Sequence, residues 1–370
     1  MALTGRTKTA LGATAVATVT ALTGCGSDDN LGPGPDLSGV VADCTGKSTL
    51  TGEGSTAQQN AIALFDQVWA RICPGKKVAY NPTGSGAGRE QFIAGQVDFA
   101  GSDSPLTERQ RDAARRRCQD HPAWNLPLVF GAVAMAYNLD DSIDQTLTVT
   151  PDLLADIFAG RLTRWSDPAL AAVNPGVALP DLEITPIYRS DSSGTTDNVQ
   201  KYLSIAAPNA WTAGAGTEFQ GGVGEGAQKS AGVVQAVQAT PGSIGYVEKG
   251  FADQANLTYA RIDSGSGPVA LTDDAAGRAV DAAAFAGDGH DLVLDLDSLY
   301  GATLPGAYPL VLTTYEIVCS GGYAPGAATA VKSFLLAAAE HGQDTLPPAG
   351  YVPLPARFTE RLVASIEAIQ

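Results

Sequence analysis

The sequence predicts an α/β protein of two lobes, built on mostly parallel sheets flanked by helices on both faces. Three observations lead there. Strand, Ser/Gly-rich turn and helix recur in that order from residue 48 onward. Two long apolar segments, at 126–137 and 308–318, read as strands that cross from one lobe to the other. A chain of 370 residues is also long for one hydrophobic core.

The chain opens with Arg6 and Lys8, a modest apolar stretch from Ala10 to Leu22, and then Leu22-Thr23-Gly24-Cys25. Small residues before a cysteine let a peptidase approach, so residues 1–24 read as a lipoprotein signal peptide and Cys25 as the acylated first residue of the mature chain. An ordinary secretory signal that happens to end near a cysteine is the plainer alternative. Residues 25–45, rich in Gly, Pro and Asp as far as about Val40, read as a flexible tether behind the lipid anchor. No other stretch is apolar and long enough to span a bilayer. Contact with the membrane is therefore expected only through the anchor, at the outer face of the cytoplasmic membrane.

After the tether, residues 48–51 read as a strand and 52–56 as a turn. Residues 57–72 read as a helix, with Ala61, Phe65, Val68 and Ile72 at three- and four-residue steps. A strand at 77–81, a turn at 83–88 and a helix from about Arg89 to Ala94 follow. The strand 97–100 ends in Gly101-Ser102-Asp103-Ser104-Pro105, and the charged stretch 107–117 reads as a solvated helix. The segment 126–137 contains Gly131 and is the first crossing strand; 308–318 is the second. Residues 46–128 with 308–370 would form one lobe, and the inserted residues 129–307 the other.

Five cysteines are present, and lipidation of Cys25 leaves Cys44, Cys73, Cys118 and Cys319. An even remainder in an oxidising compartment points to two disulfides with three possible connectivities. A helix running back from a strand ends near that strand's start, which favours Cys44–Cys73. Cys118 precedes one crossing strand and Cys319 ends the other, which favours Cys118–Cys319.

Charge narrows the function classes. The formal charge is −16 and no Lys/Arg run forms a stripe, which argues against nucleic acid as a partner. A small anion remains admissible if the site supplies its own dipoles and a cation or two. The three histidines, His121, His290 and His341, are scattered, the cysteine spacings do not suit zinc, and neither a metal nor a cofactor is expected.

Three turns share one grammar: Gly54-Ser55-Thr56-Ala57, Gly84-Ser85-Gly86-Ala87-Gly88 and Ser192-Ser193-Gly194-Thr195-Thr196. Each follows a strand and opens a helix, where unpaired N–H groups and the helix dipole can hold an anion. One such turn is ordinary helix capping; three in one chain suggest convergence on a single oxyanion. The third follows Arg189, whose planar fork suits a tetrahedral oxyanion and which Asp191 could pin, although an isolated Arg-x-Asp is more often a surface pair. Asp103 is informative because a carboxylate should repel an anion. It fits an anion that still carries a proton, as hydrogen phosphate does and sulfate at neutral pH does not. Its plainer role is to cap the turn before Pro105.

At these residues the chain resembles the PstS family, the phosphate-binding proteins of phosphate ABC importers. The segments that carry the resemblance are 50–56 (LTGEGST), 84–88 (GSGAG), 97–103 (VDFAGSD), 157–167 (IFAGRLTRWSD), 174–180 (NPGVALP), 189–195 (RSDSSGT) and 242–247 (GSIGYV). It implies a two-lobed periplasmic-binding-protein-like fold of type II with hinge-crossing strands, a dehydrated phosphate between the lobes, and delivery to membrane permease subunits. By the same resemblance Thr56 and Ala57 would donate from the first helix start and Ser85 from the second. Asp103 would accept the phosphate proton. Arg189 would clamp the ligand with Asp191 in support, and Ser193, Gly194 and Thr195 would close the far side. Ala57 stands where some members carry a larger residue, so only its N–H can be carried over. Nothing in the sequence calls for more than a monomer.

Two other classes stay open from sequence alone. An enzyme such as a phosphatase would also use Gly-rich turns and an Arg, but no phosphate-loop lysine, metal cluster or Ser/His/Asp set can be proposed. A binder of arsenate, sulfate or molybdate, or an adhesion protein that kept the fold, is the other; arsenate shares phosphate's shape and protonation.

Overall fold

The computed structural model describes residues 37, 39–139, 143 and 145–370. The expected signal peptide, Cys25 and most of the expected tether lie outside the described residues.

The strand–turn–helix units come first: β1 (Thr49–Gly54), α1 (Gln59–Ile72), β2 (Lys77–Pro82), α2 (Ser85–Ile93), β3 (Phe99–Ser102) and α3 (Glu108–Arg117). The 15-residue β4 (Ala123–Tyr137) leads out of this group. A second group follows with β5 (Thr148–Val149), α4 (Pro151–Phe158), α5 (Pro168–Val173), β6 (Thr185–Arg189), α6 (Gly194–Ala206), β7 (Glu225–Ala227) and α7 (Lys229–Ala239). It continues through β8 (Ser243–Glu248), α8 (Lys249–Gln254), β9 (Thr258–Tyr259), β10 (Arg261–Ile262), α9 (Asp273–Ala282) and α10 (Leu296–Gly301). The strand β11 (Val311–Cys319) returns, and α11 (Ala327–Ala337), β12 (Tyr351–Val352) and α12 (Ala356–Glu367) end the chain.

The main sheet runs β2-β1-β3-β11-β4-β8-β6-β7. Its wings are parallel: β1 pairs with β2 and β3, and β6 with β7 and β8. Its centre is antiparallel, with β11 against β3 and β4, and β4 against β8, β9 and β12. The sheet is therefore mixed, where the sequence predicted mostly parallel pairing. Connectivity is the reason: β4 runs out of the first group and β11 runs back beside it, so the two must point in opposite directions. Residues Ala123 to Ala132 of β4 lie against β11, and Val133 to Tyr137 lie against β8. Both crossing strands are buried almost throughout, which explains why they read as continuous apolar runs.

Local patterns account for the flanking elements. The buried face of α1 carries Ala61, Ile62, Phe65, Val68 and Trp69, and β1 alternates between buried and half-buried residues. Thr107 and Gln110 make a reciprocal capping box at the start of α3. One boundary departs from the sequence pattern. α2 begins at Ser85, so Gly86 and Gly88 sit inside a helix that had been expected only from Arg89. These glycines serve close approach: a Cβ on Gly88 would lie 2.5 Å from Gly54 Cα, and one on Gly86 would lie 2.0 Å from Ser192 Oγ.

Among the described residues, disulfides join Cys44 to Cys73 and Cys118 to Cys319, with Cα–Cα separations of 5.3 and 5.4 Å. The second ties the end of α3 to the end of β11 across 201 residues of sequence. Gly54 holds the join between the first wing and the site. Its φ is +141°, and a Cβ there would lie 2.0 Å from the Gly101 carbonyl oxygen. Gly54→Ala is thus expected to destabilise the fold by about 3 kcal/mol or more, since both backbone strain and a backbone clash must be relieved. Urea unfolding of the ligand-free protein measures this, and a change under about 1 kcal/mol would contradict the packing described.

Candidate functional site

Three helix starts and the end of a strand meet at one place. Thr56 lies in the turn between β1 and α1, Ser85 is the first residue of α2, Asp103 directly follows β3, and Gly194 and Thr195 open α6. A Cβ on Gly194 would fall 2.5 Å from Ser85 Oγ and 2.6 Å from Asp103 Cβ, so the start of α6 is pressed onto the other two. The Gly86 N–H donates to Ser192 O at 3.0 Å across the same seam. Thr56, Ala57, Ser85, Asp103, Arg189, Ser193 and Thr195 are all buried. The N–H groups of Ser85, Gly194 and Thr195 occupy first-turn positions that have no intrahelical acceptor. One sequence-predicted donor is engaged locally instead, and one sequence-predicted hydroxyl serves as an acceptor. The Ala57 N–H donates to Ser55 Oγ at 3.0 Å, and Ser193 Oγ accepts the Thr196 N–H at 3.2 Å as the N-cap of α6.

Asp103 is 2% exposed and held from three directions. Thr314 Oγ1 donates to its Oδ1 at 2.7 Å, Ser85 Oγ donates to its Oδ2 at 3.2 Å, and Asn198 Nδ2 donates to its carbonyl oxygen at 2.7 Å. Burial pushes the Asp103 carboxyl up from an ordinary 3.8 to about 6, with the nearby Glu248 charge adding to the rise. The Ser55 and Thr314 hydroxyls and the Arg189 charge pull it back. A carboxylate has about four acceptor positions, so these bonds leave capacity for one further O–H donor.

Arg189 ends β6 with its side chain 3% exposed. Its Nε donates to Asp191 Oδ1 at 2.7 Å and its Nη2 to Asp191 Oδ2 at 2.5 Å, so Asp191 holds the guanidinium in a bidentate grip and Nη1 lies outside that grip. Burial disfavours the charge on Arg189, but the hydrogen bonds and charge of Asp191 more than offset it and hold the group cationic. Asp191 also accepts the Lys229 N–H at 2.9 Å, which ties the clamp to the start of α7.

Several neighbours escaped the sequence pattern. Thr314 reaches Asp103 because β11 runs antiparallel to β3 with Tyr315 opposite Ser102, which sets Thr314 opposite the next residue, Asp103; this long-range register leaves no mark in composition. Asn198, one turn into α6, donates from Nδ2 both to Asp103 O and to Gly194 O, while its Oδ1 accepts from Tyr300 OH. Arg89 is a second buried cation, 2.8 Å from Ser102 Oγ; burial lowers its pKa from the ordinary arginine value, and the charges of Asp197 and Asp103 offset only part of that. Ser104 Oγ donates to Asp197 Oδ2 at 2.5 Å. Ser230 and Glu248 complete the cluster behind Thr56 and Thr195. Ser104 and Glu248 directly follow the segments 97–103 and 242–247, which is the signal that could have found them. Among the described residues, no group of three or more His, Cys, Asp or Glu could hold a metal, and no helix is long and apolar enough to cross a membrane.

Such an arrangement can bind a small tetrahedral oxyanion by helix-start N–H groups and a fixed guanidinium, and can test it for a proton with a buried carboxylate. Residues 39–338 match the model of the PBP superfamily domain. The phosphate-binding protein PstS 3 of Mycobacterium tuberculosis is 47% identical over 353 residues, covering 94% of this chain and 95% of that protein. PstS 2 of the same species is 45% identical over 355 residues, and PstS of Xylella fastidiosa 31% over 354. Each covers 94% of this chain. Among solved structures, a high-affinity periplasmic phosphate-binding protein (PfluDING) bound with phosphate superposes with a TM-score of 0.68 at 23% identity. The match covers 85% of this chain and 93% of that one. A phosphate-binding protein from Stenotrophomonas maltophilia gives 0.65 at 18%, covering 86% and 94%; these two share the fold. The chain belongs to the PstS family.

The raised Asp103 carboxyl makes a signed prediction. An unfolded Asp titrates near 3.9, and Asp103 in the folded protein near 6. Between those values the folded state keeps a proton that the unfolded state has lost, so the Asp103 contribution to stability is highest below pH 4 and falls as pH rises through 6. The loss amounts to about 3 kcal/mol above pH 6. Asp103→Asn keeps the shape and cannot ionise. In the ligand-free protein, the unfolding free energy of the variant minus that of the parent is expected to rise by about 2 kcal/mol between pH 4 and pH 7. A pH-independent difference in paired urea titrations would contradict a buried, ionising Asp103.

Proposed function

We propose that this PstS-family chain captures inorganic phosphate outside the cytoplasm and delivers it to the membrane permease subunits of a phosphate ABC importer. The carrying observation is Asp103, a buried carboxylate set where three helix starts converge on an anion site. A carboxylate in that position makes sense toward a ligand that brings its own proton. The printed names of the relatives point to the same ligand.

In this reading the N–H groups of Ser85, Gly194 and Thr195 and the Nη1 of Arg189 donate to phosphate oxygens, with Thr56 and Ser193 on either side. The phosphate O–H donates to Asp103. Ala57 contributes its N–H only by exchanging the Ser55 hydroxyl for the ligand. Sulfate has no proton to offer at neutral pH and would leave two repelling charges in a buried site. Arsenate carries the same proton and the same shape, so the site admits it. The chain binds and releases without turnover, needs neither metal nor cofactor, and works as a monomer held to the outer face of the membrane by a lipid on Cys25.

Delivery follows from closure. Residues 46–128 with 308–370 form one lobe and residues 129–307 the other, joined by β4 and β11, which act as hinge strands. Phosphate docks on one lobe, and the second completes its shell, so the importer can distinguish loaded from empty protein by shape.

Calorimetric titration of protein stripped of bound phosphate tests the ligand. One phosphate per chain is expected, with no heat from sulfate. Asp103→Asn is expected to weaken phosphate by about 10- to 100-fold and to let sulfate in, because the buried acceptor becomes an amide that can donate. Absence of phosphate binding by the parent would refute the ligand assignment. Scattering curves that superimpose with and without phosphate would refute closure.

A further inference from the structure

Ser230 and Glu248 have no place among the ligand groups above, yet they are 1% and 2% exposed and sit against two of them. Ser230 is the second residue of α7. It is turned inward by Lys229, whose φ of +63° is left-handed and whose N–H is held by Asp191. Glu248 is the last residue of β8. Its Oε1 accepts from Thr195 Oγ1 at 2.6 Å, and its Oε2 accepts from Ser230 Oγ at 2.7 Å. Ser230 Oγ also lies 2.8 Å from Thr56 Oγ1.

Counting protons fixes the direction of this chain. A hydroxyl has one proton, and the Ser230 proton goes to Glu248. The contact between Thr56 and Ser230 must therefore carry the Thr56 proton. Thr56 donates to Ser230, and Ser230 and Thr195 both donate to the carboxylate. One buried acid sets the orientation of three hydroxyls. The chain also bridges the strand groups, because Thr56 follows β1 in the first, whereas Thr195, Ser230 and Glu248 belong to the second.

We infer that Ser230 and Glu248 form a polar latch, Thr56–Ser230–Glu248–Thr195, that holds the two lobes shut over the bound ligand and slows its release. The latch rests on the phosphate reading and on the two-lobe division. It also assigns Thr56 and Thr195 a narrower task than simple donation: their hydroxyl protons are turned away, so each offers the ligand its N–H. Ser230 and Glu248 are positioning residues, acting through the two threonines. A bond that forms only when the lobes meet should retard opening and leave entry of phosphate unchanged.

Stopped-flow rates of phosphate association, and of release into a phosphate-scavenging chase, test this on the parent, Ser230→Ala, Ser230→Thr and Glu248→Gln. Ser230→Ala is expected to speed release three- to tenfold with association within twofold of the parent, and Ser230→Thr, which keeps the hydroxyl, to restore slow release. Glu248→Gln keeps the side-chain shape but accepts only one of the two hydroxyls, and is expected to speed release as well. Thr56→Val combined with Ser230→Ala should be no faster than the faster single variant, because both break the same Thr56–Ser230 link. Thermal melts without phosphate identify any variant that has lost its fold, and the remaining variants then decide. Parent-like release in Ser230→Ala or Glu248→Gln, or effects of Thr56→Val and Ser230→Ala that multiply, would overturn the latch while leaving phosphate binding intact. A parent that binds no phosphate overturns the phosphate reading, and the latch with it.

Discussion

A carboxylate buried beside an anion site is the constraint on which the rest of this structure depends. Asp103 loses its water and faces the charge of Glu248, and both effects disfavour its ionised form. The surrounding protein offsets them with directed groups from separate parts of the chain: Ser55 and Ser85 from the first two turns, Thr314 from the returning strand, and Arg189 from the second group. Thr314 reaches Asp103 only once the centre of the sheet has formed with β11 between β3 and β4. The mixed sheet is thus more than a scaffold, because its antiparallel middle carries one of the hydroxyls that keep the carboxylate in place.

The seam around Asp103 is polar rather than apolar. Ser104 to Asp197, Asn198 to the Asp103 carbonyl, Gly86 N–H to Ser192 O and Thr56 to Ser230 all connect the first strand group to the second. A hydrogen bond of this kind contributes only about 1 kcal/mol net, since water replaces it when the seam opens. A few such bonds can hold a closed arrangement without making it permanent, which suits a protein that must let its ligand go. The disulfides lie away from this seam, within the first strand group and its return. They brace one side of the seam and leave the seam itself unbridged.

Net charge and site charge also separate cleanly. The chain carries −16, and the groups around the site include Asp103, Asp191, Asp197 and Glu248 against Arg189, Arg89 and Lys201. Long-range attraction cannot be what brings an anion here. Short-range donors must do it, namely the N–H groups of helix starts and one guanidinium fixed by Asp191. Such donors act over a few ångströms and favour a ligand of the right shape over anions in general.

Much of this was legible in the sequence because it is local. The three- and four-residue spacing of Ala61, Phe65 and Val68 sets the buried face of α1, and glycine and serine after a strand mark the turns that lead into α2 and α6. Asp103 and the Arg189–Asp191 pair declared themselves by residue type: an acid where an anion should sit, and a cation with its partner two positions away. The antiparallel centre, the start of α2 at Ser85, the β3–β11 register that brings Thr314 to Asp103 across 211 positions, and the grouping of Ser230 and Glu248 with Thr56 and Thr195 belong to the tertiary structure alone. Periodicity encodes neighbours three, four or two residues apart. Strand direction and register are decided by which distant segments pack together, and no local pattern carries that information.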